Sequence, residues 1–87
     1  MRKSISETLE LMRKNPAGDW ALADLVRVAE AFGSECSPPR GGGSHYRIAH
    51  SQLVEKLTIP YKRPIKPVYV RHFVAWIDVL RAEPWKQ

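Results

Sequence analysis

Apolar residues recur at helical spacing near both ends of this chain and at strand spacing in the middle. Ile5, Leu9 and Met12 stand at i, i+4 and i+7, one stripe of an amphipathic helix. Ser4-Ile5-Ser6-Glu7 has the form of a capping box, so a helix is predicted over 4–14, ended by Asn15-Pro16-Ala17-Gly18. Asp19 is read as the cap of a second helix running through Phe32, with Leu22, Leu25, Val26, Ala29 and Phe32 sharing a face. Gly33 then stands where a left-handed C-terminal residue is wanted. The period changes after that. Pro38-Pro39 is excluded from a central strand, so 34–39 is predicted as an edge strand or an irregular segment. Residues 45–50 alternate, with Tyr46 and Ile48 on one face and His45 and Arg47 on the other. A further strand is predicted within 53–59, centred on Lys56-Leu57-Thr58-Ile59 and stopped by Pro60. Pro67 suits the first turn of a last helix, whose buried side is Val70, Phe73, Val74, Trp76, Ile77 and Leu80 and which ends near Glu83-Pro84.

The predicted order is helix, helix, strand, strand, strand, helix. It describes an α+β domain, a three-stranded antiparallel sheet with helices packed on one face. Eighty-seven residues with 44% apolar content make one domain with one core, spanning 1–87. No internal repeat or low-complexity linker divides it.

Charge adds a partner class. Fourteen Lys and Arg against nine Asp and Glu leave the chain at +5, a balance that attracts nucleic acid or an acidic protein. The asymmetry is local. From 40 to 71 the basic residues are Arg40, Arg47, Lys56, Lys62, Arg63, Lys66 and Arg71, and Glu55 is the sole acid. A solvated basic face is the plain reading of such a run. The single cysteine, Cys36, excludes an internal disulfide and a cysteine-rich zinc site, and fits a reducing compartment such as the cytoplasm. The N-terminus mixes charges along its length, unlike a signal peptide, and no apolar run approaches the roughly 20 residues of a membrane span.

Candidate chemistry gathers around Gly41-Gly42-Gly43-Ser44-His45. This is no P-loop, because the Gly-Lys-Ser/Thr ending is missing. Ser44 has no Ser-His-Asp set around it and reads as a turn residue. A histidine can act as acid or base, which suits His45 to proton transfer, although a histidine in a strand is more often structural. His50 faces the other way by alternation, and His72 reads as surface. Tyr46 and Tyr69 are candidates for stacking on bases or for packing, and Trp20, Trp76 and Trp85 for packing.

The segments EAFG (30–33), GGSHYRIAH (42–50), LTIP (57–60) and IKPVYVRHFVAWI (65–77) together resemble the HicA family of toxin–antitoxin systems. The likeness covers about 22–80. It implies a fold similar to the double-stranded-RNA-binding domain and an mRNA-cleaving endoribonuclease that needs no metal or other cofactor. It also implies a HicB-type antitoxin as partner, in a homo-oligomer or a toxin–antitoxin hetero-oligomer away from membranes. The family's catalytic histidine maps onto His45, and the glycine before the serine maps onto Gly43. The candidate RNA contacts are Arg40, Gly43, Ser44, Arg47, Lys62, Arg63 and Lys66. The helix at 4–14 is an addition to the minimal pattern, a lid or a dimerising element. Two alternatives stand beside the toxin: a non-catalytic RNA-binding module and a basic protein-interaction domain.

Overall fold

Six elements follow one another in the expected order: α1 (Ile5–Lys14), α2 (Leu22–Ala31), β1 (Glu35–Ser37), β2 (His45–Ala49), β3 (Leu57–Pro60) and α3 (Pro67–Ala82). The computed structural model describes residues 3–39, 41 and 43–82. The predicted end of α3 at Glu83-Pro84 and the packing of Trp85 lie outside the described residues. The three strands form one sheet in the order β1-β2-β3, antiparallel throughout. Register follows alternation, with Cys36 opposite Ile48, Tyr46 opposite Ile59 and Ile48 opposite Leu57. These residues face the helices, where Ile48, Leu57 and Ile59 are buried with Phe73, Ile77 and Leu80 of α3.

The capping box forms as read. Ser4 Oγ accepts from the Glu7 N–H at 3.1 Å, and Glu7 Oε1 accepts from the Ser4 N–H at 2.9 Å. Those bonds hold the Glu7 carboxyl below the usual carboxylate range. Gly33 sits at φ 80°, the left-handed conformation that only glycine adopts cheaply. Pro67 opens α3, and the Lys66 carbonyl accepts from the N–H groups of Tyr69 and Val70.

Four expectations change. α2 starts at Leu22 with Ala21 at its cap, not Asp19; Asp24 takes the Ala21 N–H at 2.9 Å, while the Asp19 carboxylate turns to Arg63. The buried face of α2 includes Val28, fully enclosed, because the helix touches both α1 and β1 and hides a wider arc than one stripe. β3 is shorter than the predicted run and includes Pro60. The Tyr61 N–H bonds to the Ser44 carbonyl, which makes 44 and 61 a hydrogen-bonded pair, so at position 60 an N–H would point to the free edge. A proline costs nothing there.

The fourth concerns α1. Leu9 and Met12 are at 1% and 0% exposure within the common core. The Arg13 guanidinium grips both oxygens of Asp78 on α3 at 2.7 and 2.8 Å. A lid must leave without opening the core, and α1 is part of that core.

A candidate nucleic-acid interface at the open sheet corner

Alternation puts His45 and Arg47 on the sheet face that no helix covers, and both are exposed. Their neighbours on that face follow from register: Pro60 opposite His45, Thr58 and Ser37 flanking Arg47, and Glu35 opposite Ala49. β1 ends opposite Arg47, so His45 and Tyr46 run on where the sheet is two strands wide. Pro38-Pro39 ends β1 because neither residue has an N–H for the ladder. The consequence is an open corner with His45 on it.

The Ser44 hydroxyl lies 3.1 Å from Nδ1 of His45. A hydroxyl both donates and accepts, so it satisfies either tautomer of the ring. When Ser44 donates, Nε2 carries the proton and can give it; when Ser44 accepts from Nδ1–H, Nε2 is a bare acceptor. Arg47 is two residues along the same strand face, about 7 Å away. Among the described residues Arg47, Lys62 and Lys66 make no ion pair.

The glycine-rich approach and the basic loop meet at this corner. Gly41 sits at φ 67°. The Gly43 carbonyl accepts from the Tyr61 hydroxyl at 3.4 Å, which ties the loop before β2 to the residue after β3. The loop at 61–66 is held further along by Ile65, buried at 1%, whose N–H donates to the Trp20 carbonyl at 2.8 Å.

Of the predicted contacts, Gly43, Ser44, Arg47 and His45 come together here, with Lys62 exposed on the loop that leaves the corner and Lys66 exposed at the start of α3. Arg40 lies outside the described residues. Arg63 is engaged elsewhere: its Nε and Nη2 donate to Asp19 at 3.0 and 2.9 Å. Each partner shifts the other, the Asp19 carboxyl downwards and the guanidinium upwards. Arg63 ties the basic loop to the segment that precedes α2.

Sequence reasoning missed Tyr61. Tyr46 pairs with Ile59 on the covered side and Tyr69 packs against the core, whereas Tyr61 is 46% exposed at the open corner. No signal in the sequence marked it, because the pairing that sets Tyr61 opposite Ser44 joins two separate segments. The remaining histidines are elsewhere. His50 is buried, accepting the Gln52 N–H at Nδ1 and donating from Nε2 to the Phe32 carbonyl, a structural tie between β2 and the end of α2. His72 is exposed on α3. Burial, with Glu30 nearby, pushes the Cys36 thiol up to about 11, away from the reactive thiolate. Trp20 and Trp76 do pack, and their indole N–H groups bond to the carbonyls of Asn15 and Glu55. Among the described residues no three potential metal ligands converge, and no helix is long and apolar enough to cross a membrane.

No protein-family model, curated protein or solved structure matches the chain.

Proposed function

We propose that the chain is a HicA-like endoribonuclease toxin with a fold similar to the double-stranded-RNA-binding domain, and that His45 performs proton transfer during cleavage of mRNA. The observation that carries this reading is His45 itself, exposed on the uncovered sheet face, with Ser44 on Nδ1 and Arg47 on the same side of the strand. RNA supplies its own nucleophile. The 2′-hydroxyl attacks the adjacent phosphorus, the O2′–P bond forms and the P–O5′ bond breaks. One proton leaves O2′ and one reaches O5′, and His45 Nε2 serves one of these transfers. Arg47 stabilises charge gathering on the phosphoryl oxygens, with Lys62 along the path of the backbone. Tyr61 offers an exposed ring on which a base can stack. A HicB-type antitoxin would restrain the enzyme by covering this corner.

A second reading has its own support. His50 and His72 are far from the corner in the fold, so His45 has no second imidazole beside it to serve the other proton transfer. A module that binds RNA through Arg47 and its neighbours without cutting it fits that arrangement. One experiment separates the two. Wild type and His45→Ala are incubated with RNA in EDTA, and binding is measured in parallel. The toxin reading expects cleavage that falls about 10²- to 10⁴-fold in the variant, the usual contribution of a general acid or base, with binding retained. Binding without cleavage by wild type establishes the module, and equal cleavage by both proteins removes His45 from the chemistry.

A further inference from the structure

We infer that the outer face of α3 is a homodimer interface, closed by α3 of a second copy in antiparallel two-fold contact. Val68, His72, Ala75, Val79 and Ala82 recur at spacings of four, three, four and three. At about 100° per residue they fall within an arc of about 80°. That arc lies opposite Phe73 and Ile77, which are fully buried in the core. All five are exposed, Val68 at 41% and Val79 at 52%. A helix face turned to water ordinarily carries charges, and this stripe carries none at its five positions. α3 therefore carries an uncharged exposed stripe in addition to its buried side, a surface that a second helix can cover. The spacing is that of the seam between two packed helices.

The face carries its own complement. Beside the seam runs a groove of about 260 Å³ lined by Leu53, Glu55, His72, Ala75, Trp76 and Val79. Val54, between the lining residues Leu53 and Glu55, stands 99% exposed, an apolar knob beside the groove. A two-fold axis exchanges such neighbours between copies and closes the assembly. Charge selects the direction. Arg71 and Asp78 flank the seam seven residues apart on the same side. With His72 of each copy layered on Ala75 of the other, antiparallel packing sets each Arg71 opposite an Asp78. Asp78 is held in place by Arg13 and keeps 40% of its side chain exposed. The interface lies across α3 from the core, so both His45 faces stay open, and the inference stands independently of the proposed chemistry.

Sedimentation velocity of the full chain over a concentration series tests it. The wild type is expected to show a reversible monomer–dimer equilibrium. Val79→Glu and Ala75→Glu, both at exposed positions, are expected to weaken dimerisation at least tenfold while circular dichroism stays unchanged. Using both keeps the test valid when one of them folds poorly. Leu11→Glu, on the exposed side of α1, is expected to leave the dimer intact. A wild type that stays monomeric throughout overturns the inference. So does a dimer that survives both α3 substitutions, or one that only the α1 substitution breaks.

Discussion

Leu9 and Leu11 stand two residues apart on α1, and the structure assigns them opposite fates. Leu9 is 1% exposed among Met12, Leu25 and Leu80, whereas Leu11 is 37% exposed. Replacing each with alanine removes the same atoms from the same helix, so the difference between the two variants isolates burial. At Leu9 the lost transfer energy adds to the cost of the cavity left behind, together about 3 to 5 kcal/mol. For a chain of 87 residues the total stability is on the order of 4 to 13 kcal/mol. Leu9→Ala is thus expected to lower Tm by at least about 10 °C, at the usual 4 to 8 °C per kcal/mol for this size. Leu11→Ala is expected to stay within about 0.5 kcal/mol of wild type, as surface changes do. Thermal melts followed by circular dichroism, with urea titrations for the free-energy scale, read both. Should the two variants melt together near wild type, α1 is an appendage and its place in the core is refuted. Should both melt far below it, the face assignment of the helix is wrong.

Two further outcomes follow from single sites. Gly33→Ala places a side chain at φ 80°, where the nearest atom, Nε2 of His50, is 3.5 Å from the new carbon; space is adequate, so the loss of about 1 to 2 kcal/mol comes from backbone conformation alone and appears as a Tm lowered by about 4 to 16 °C, an unchanged Tm counting against the left-handed turn. The Asp78 carboxyl is held below its ordinary range, first by its hydrogen bonds with Arg13 and then by charge attraction to Arg13 and Arg81; a depressed folded-state value contributes stability above about pH 4, the unfolded value, that fades as pH falls through the folded one, so Asp78→Asn is expected to narrow the Tm gap to wild type on acidification, and a gap constant with pH opposes the pairing.

Much of the fold was legible because its causes are local. A serine followed three residues later by glutamate caps a helix by reaching its own first turn, and Ser4 and Glu7 do so. Alternation along a strand is a property of the pleat, so His45 and Arg47 on one face and Tyr46 and Ile48 on the other could be read without knowing the neighbours. The same holds for the six-residue apolar side of α3 and for Gly33. What escaped depended on partners distant in sequence. Asp19 is as good a cap as Ser4 by composition, but Arg63, 44 residues on, claims its carboxylate, and neither residue announces the other.

The candidate site divides along the same line. His45 and its strand-mate Arg47 came from spacing, and their exposure followed once the opposite face proved apolar. Their setting did not. That Pro38-Pro39 would end β1 two residues short and open the corner, that Tyr61 would land opposite Ser44, and that Arg63 would serve as an anchor all rest on register and on contacts between separate segments. α1 makes the case most clearly. Its sequence alone specified a helix with one apolar stripe, through a cap and a period that act within a few residues. Whether that stripe would close a core, serve as a lid or pair two chains was decided by the surface offered by α2 and α3, because burial is a property of what lies opposite and no local pattern encodes it.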